Sequence, residues 1–191
     1  MFVSAIGVPP PHVVEKLHKA GIPYMNMIGH PKHVAKCLAS GVDIICAQGG
    51  EGGGHTGEVP TSILIPQVAD LCKGKKSPLT GQDVLVVAAG AMYRGSSLAA
   101  VLMMGAHAIW VGTRFILADE AGAPVAHQEA VRTAGYEDTI RTVVFTVSCP
   151  TLVQVEFCTN RVQSSRVVHF ASAETLTSKI GKRIAVMKLR R

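Results

Sequence analysis

The feature that most constrains this 191-residue chain is a recurrence. Short apolar runs rich in β-branched residues alternate with stretches of helical spacing, the pattern of parallel β/α units. The runs are Phe2–Ile6, Tyr24–Ile28, Asp43–Ala47, Val84–Ala89 and Ala108–Gly112, with a weaker sixth at Thr142–Val147. Most are apolar throughout and do not alternate, which predicts strands covered on both faces. Between them, Pro10 and Pro11 open a helix with Val13, Val14 and Leu17 on one face, and Gly21 ends it. Pro31 opens a second, with Val34 and Leu38 on one face, and Gly41 stops it. Ser62 to Leu71 and Ser97 to Met104 read as two more. Most strand-to-strand steps are roughly 20–25 residues, near the ~30 per unit of an eight-fold barrel. A doubly wound dinucleotide fold would place a GxGxxG turn after its first strand and an acid further on, and neither follows Phe2–Ile6. Periodicity alone favours the barrel only slightly.

Composition narrows the class. The chain is 48% hydrophobic and 17% charged, enough for one domain with a sizeable core. Five cysteines (Cys37, Cys46, Cys72, Cys149, Cys158) form no CxxC pair, so buried thiols in a reducing compartment are expected, with no disulfide and no metal site. The N-terminus has neither a basic leader nor a long apolar run, which gives the cytoplasm as the expected location and no membrane partner. The net charge of +6 lies entirely in the tail: residues 1–150 hold 11 basic and 11 acidic side chains, whereas 151–191 hold 8 basic ones against Glu156 and Glu174. A charged terminal segment with only Phe157 and Phe170 as aromatics offers little stacking platform, so nucleic acid is not an expected partner.

Chemistry concentrates in Ala47-Gln-Gly-Gly-Glu-Gly-Gly-Gly-His-Thr-Gly57, just after a predicted strand, with six glycines and one histidine. Loops at the carboxyl ends of parallel strands bind ligands in both α/β architectures. Backbone N–H groups approach a phosphate or a flat ring most closely where no Cβ intervenes. A flexible linker would have no need of His55. Two further strand ends, Val86-Val-Ala-Ala-Gly-Ala91 and Val111-Gly-Thr-Arg-Phe115, together suit a phosphate cup, although each alone reads equally well as close packing or an ordinary strand end.

The strings QGGEGGGHTG (48–57), ILIPQVADL (63–71), VVAAGAM (86–92), LAAVLMMGAHAIWVGTRF (98–115), EAGAP (120–124) and AGYEDTIRT (134–142), in this order and spacing, resemble the nitronate monooxygenase (2-nitropropane dioxygenase) family across about residues 1–146. The resemblance implies an α/β fold of the TIM-type (β/α) barrel and FMN as cofactor. It implies Gln48, Gly53 and Gly54 against the flavin, Gly90 and Ala91 at its phosphate, and Trp110, Val111, Gly112 and Thr113 completing that site. His55 matches the family's catalytic base, removing the acidic Cα proton of a nitroalkane before the resulting nitronate is oxidised by dioxygen to a carbonyl compound and nitrite. The family has two glycines where this chain has Gly90-Ala91; an alanine keeps its amide, so reduced tolerance of positive φ is expected rather than loss of the site. Flavin-dependent enoyl-acyl-carrier-protein reductases and NAD(P)H:quinone reductases resemble the chain in the same loops, and an inactive truncated paralogue is the non-enzyme alternative.

The family's Gln/Ala-Pro-Met-type segment does not precede Phe2, so the sequence predicts an incomplete barrel lacking its N-terminal strands, 1–147, with self-association through unclosed edges. After Val147 the family's Gly-Arg-Pro turn is absent. Residues 148–191 are expected to form a divergent basic C-terminal segment, partly disordered.

Overall fold

The computed structural model describes residues 1–5, 7–142 and 154–158, the last as backbone. Five strands form one parallel sheet: β1 (Phe2–Ser4), β2 (Tyr24–Ile28), β3 (Ile44–Gln48), β5 (Leu85–Ala89) and β6 (Ala108–Trp110), adjacent in chain order. Between them run α1 (Pro11–Lys19), α2 (Val34–Ala39), α3 (Thr61–Cys72) and α4 (Gly95–Met103). Gly21 at φ +66° and Gly41 at φ +85° follow the first two helices, in the left-handed region that lets the chain turn back without a Cβ clash.

The direction of that strand order resolves what periodicity left open. A doubly wound sheet reverses its order at a switch point and carries helices on both faces. Here the order never reverses. Register places Asn26, Ile45 and Val86 on one face, with Ile28, Ala47 and Ala88 one step further along. That face packs with Val14, Val34, Cys37, Leu64, Ile65, Val68 and Val101, contributed by all four helices. The opposite face carries a separate cluster in which Met25, Cys46 and Ala89 are buried with Val3, Met27, Ile44, Val87 and Trp110 around them. One helical side and one inward side in layers is the wall of a (β/α) barrel. Five strands make a sector of it, as the incomplete-barrel reading expects.

The amino-terminal end of this wall is tied by polar bonds. Asp43, 4% exposed, accepts from the backbone N–H of Tyr24 at 2.7 Å and from Ser77 Oγ at 2.5 Å, and pairs with His18 Nε2 at 2.9 Å. Each carboxylate oxygen is thereby occupied, which is what a buried charge requires. Nearby on the helical face, Tyr24 and Ser4 both donate to Asn26 Oδ1, at 2.6 and 2.5 Å. Burial pushes the Tyr24 phenol up in pKa.

Of the sixth run only Thr142 is described: it ends β7 (Thr139–Thr142), which is antiparallel to β8 (Gln154–Cys158), and residues 143–147 lie outside the described residues. The glycine-rich loop is not wholly irregular, because its end forms β4 (His55–Thr56), which pairs with β8. Within the segment expected to be partly disordered, Gln154–Cys158 is thus a strand of a second sheet, ordered β4-β8-β7. The remainder of 148–191 lies outside the described residues. Helix α5 (Val125–Thr133), absent from the sequence reading, begins after Pro124 and is bound to the preceding turn by Gln128 Nε2 donating to the Ile116 carbonyl at 3.0 Å.

Candidate functional site

The carboxyl ends of β3, β5 and β6 define the floor of the site. Parallel register sets Gln48, Ala89 and Trp110 side by side on the inward face, with Met27, Cys46, Val87 and Ala108 one layer below. Above the upper row opens a cleft of about 680 Å³, within the ~300–1,000 Å³ usual for small-molecule and cofactor sites. Its walls are the loops that follow these three strands, together with the end of α5 and the segment leading to β7.

Eight of the ten residues singled out from the sequence meet here: Gln48, Gly53, His55, Gly90, Ala91, Trp110, Gly112 and Thr113 all line the cleft. Gly54 and Val111 do not, although each adjoins residues that do. Gly54 serves the backbone, at φ +103°. Gly53 lies against the end of β6, since a Cβ on it would stand 2.7 Å from Thr113 Oγ1. Gly90, at φ +89°, also crosses Gly49 so closely that a Cβ would meet the Gly49 carbonyl oxygen at 2.9 Å. The next residue, Ala91, is at φ +57°, the left-handed conformation that alanine adopts only at a cost. A strained alanine beside a glycine that takes the left-handed region freely is what the Gly90-Ala91 departure led one to expect.

Gly112 is informative in another way. Its φ is −110°, open to any residue, and a Cβ there would meet no protein atom within 4 Å. Neither backbone geometry nor packing explains a glycine at this point of the wall. The space that a side chain would fill there is open.

The cleft lining carries one arginine and one carboxylate. Arg114 lines it and donates from Nη1 to the Tyr93 carbonyl at 3.0 Å, while Arg94 stacks over the Tyr93 ring with its guanidinium carbon 4.7 Å from the centroid. The only carboxylate in the lining is Glu51, engaged with Thr61 at the start of α3. Sequence reasoning assigned no role to Glu51 or Arg114. Arg114 sat in a quoted string, but a lone arginine after a strand end carries no signal by itself; Glu51 could have been noticed because Pro60, ahead of α3, has no side-chain acceptor with which to cap it.

His55 is exposed at the rim of the cleft, its backbone held by β4 opposite Val155. The other histidines within the described residues lie outside the lining. His18 is committed to Asp43, and His107 Nδ1 accepts the Val86 N–H at 3.0 Å. Cys37, Cys46 and Cys72 are buried free thiols whose burial pushes them up to about 11, 12 and 11, well protonated at neutral pH. Among the described residues no grouping of three metal-ligating side chains could hold a metal ion, and no helix is long and apolar enough to cross a membrane.

A parallel wall with helices on one face and a ligand cleft at the carboxyl ends of its strands defines a protein of the TIM-type (β/α)-barrel class. The sequence profile of the Nitronate monooxygenase family matches residues 1–186, past the last of the quoted motifs, and the chain belongs to that family of flavin-dependent oxidoreductases. It is 40% identical over 131 residues to a (3aS,4S,5R,7aS)-5-hydroxy-7a-methyl-1-oxo-octahydro-1H-indene-4-carboxyl-CoA dehydrogenase of Rhodococcus jostii, covering 69% of this chain and 34% of that protein. It is 35% identical over 130 residues to a nitronate monooxygenase of Pseudomonas aeruginosa, covering 66% of this chain and 36% of that one. Among solved structures, a nitroalkane oxidase from Streptomyces ansochromogenes superposes with a TM-score of 0.69 at 31% identity, over 83% of this chain and 45% of its own. The chain spans about a third to a half of the length of the curated relatives it matches.

Proposed function

We propose that this chain carries the phosphate-holding part of an FMN-dependent enzyme that oxidises alkyl nitronates and nitroalkanes with dioxygen, yielding a carbonyl compound and nitrite. The observation that carries the reading is the convergence, on one cleft, of three loops distant in sequence: 48–55, 90–91 and 110–113. The residues fit the cofactor. Gly112 leaves the wall open where no protein atom requires it, and Arg114 supplies positive charge beside it. In this reading Gly90, Ala91, Gly112 and Thr113 receive the phosphate, with Trp110 and Val111 completing that site, while Gln48, Gly53 and Gly54 belong to the flavin side. Bound FMN would supply the electron acceptor between substrate and dioxygen.

His55 is the residue to which the Cα proton of a neutral nitroalkane would pass, to a ring nitrogen exposed at the cleft rim. A nitronate anion has already lost that proton and needs no base. The floor of the cleft includes the apolar residues Ala89, Trp110 and Met27. A cytoplasmic setting goes with this reading and is tested by fractionation of the expressing cell.

A second reading has its own support in the 40% identity to a dehydrogenase acting on a coenzyme A thioester, and in the enoyl-acyl-carrier-protein and quinone reductases that the loops also resemble. Loops set the substrate side of such a pocket, so one scaffold serves either chemistry. Anaerobic mixing of FMN-loaded protein with a primary nitronate, and separately with NADH or NADPH, distinguishes them. The nitronate reading predicts flavin bleaching by nitronate and none by the nicotinamides; the opposite pattern rejects it.

A further inference from the structure

We propose that Glu51 is a positioning residue for His55: its carboxylate latches the glycine-rich loop onto the amino terminus of α3. This rests on the reading of His55 as the base. Thr61, the first residue of α3, donates its backbone N–H to both Glu51 oxygens, at 2.9 Å to Oε2 and 3.2 Å to Oε1, and its hydroxyl to Oε2 at 2.7 Å. The residue ahead of the helix is Pro60, which offers no side-chain acceptor, so the cap comes from ten residues upstream. An anion at a helix amino terminus is further stabilised by the helix dipole.

The partner is well chosen mechanically. Helix α3 buries Leu64, Ile65 and Val68 completely, and Thr61 itself is 7% exposed. Gly49 packs so tightly on Thr61 that a Cβ would overlap its hydroxyl, and Gly50 N–H donates to the Val59 carbonyl at 2.9 Å. The loop is therefore fixed to α3 up to Glu51.

Three glycines, Gly52 to Gly54, then separate Glu51 from His55. Glycine has the widest backbone freedom, so a free run of three would leave His55 spread over many placements. It is not free, because both ends are pinned. Beyond His55 the chain is held by β4 against β8 and by the crossing of Gly57 over Gly29, where a Cβ on Gly57 would stand 2.2 Å from the Gly29 carbonyl oxygen. Releasing the Glu51 end frees the triplet to leave Thr113, against which Gly53 is seated. Glu51 also lines the cleft, but Thr61 engages both its oxygens, which suits an anchor better than a base.

The experiment uses the full chain without flavin and reads amide hydrogen exchange, so it holds even if the nitronate reading fails. Glu51→Ala is expected to speed exchange across 49–57 about tenfold, the loss of charge-assisted bonds, while the amides of Leu64 to Val68 keep their protection. Glu51→Gln retains a carbonyl oxygen for Thr61 and is expected to restore most of that protection. In the loaded protein, Glu51→Ala lowers kcat on a neutral nitroalkane more than on its nitronate, and Glu51→Gln retains most of the activity. Unchanged exchange in Glu51→Ala, or loss of turnover in Glu51→Gln as complete as in Glu51→Ala, overturns the proposal; the second result would make the carboxylate itself a base. Should Glu51→Ala fail to fold, Thr61→Val removes the hydroxyl donor alone: loosening confined to 49–57 supports the latch, and none rejects it.

Discussion

At Ala91 a single methyl group sets two requirements against each other. The strand end holds both Gly90 and Ala91 in the left-handed region, a conformation that costs alanine about 1 kcal/mol or more. Ala91→Gly relieves that strain but frees the unfolded chain, so the net stabilisation expected is about 0.5–1 kcal/mol in urea unfolding of the flavin-free protein. FMN affinity should hold or rise, since the amide is kept. His55 is a test of chemistry rather than strain. His55→Asn should lower turnover of neutral nitroalkanes by roughly 10²–10⁴-fold while leaving substantial turnover of preformed nitronate, measured as oxygen uptake on both substrates. Equal loss on both would make His55 a binding residue. Both residues could be picked out beforehand, one by a glycine-rich context and one by departure from a family pattern. Glu51 left only a faint sign, the missing acceptor at Pro60 ahead of α3, because its partner is ten residues away and its role exists only once α3 is placed beside the loop.

Among the elements, the two ends of the sheet divide the work. The carboxyl ends of β3, β5 and β6 carry the cleft, whereas the amino ends of β2 and β3 are tied by Asp43 to His18, Ser77 and the Tyr24 amide. Removing one partner of a buried network leaves the others unpaired, so Asp43→Ala should cost about 3 kcal/mol in chemical denaturation. In the protein that remains folded, flavin affinity should be unchanged, as the cleft lies at the opposite end. Strands β1, β2, β3, β5 and β6 were legible because each is a continuous apolar run between turn residues. Elements β4 and β8 were not: a two-residue strand has no periodicity, and the partner of His55 is Val155, a hundred residues on. Of the run at 142–147 only Thr142 is described, as the end of β7 against β8, and the rest lies outside the described residues.

For the whole molecule, strand order carried the decision between architectures. An unreversed order with helices on one face is the barrel wall, a distinction invisible to periodicity, which is the same for both. Among the described residues, strands β1 and β6 are the edges of that sheet, and α4 exposes Leu98, Leu102 and Met103 with no charged residue along its length. Unpaired edges beside apolar surface favour pairing between chains, so the chain is expected to associate with rising concentration in sedimentation velocity. A single monomeric species at all concentrations would remove that expectation. Whether the strand ends at Gly90-Ala91 and Gly112-Thr113 receive a flavin phosphate is measured by titrating the same folded protein with FMN and with riboflavin, which differ only in that group. Charge-assisted bonds from amides and Arg114 predict FMN binding about 100-fold tighter than riboflavin. Equal affinity for the two, or no binding of FMN by demonstrably folded protein, would contradict the account.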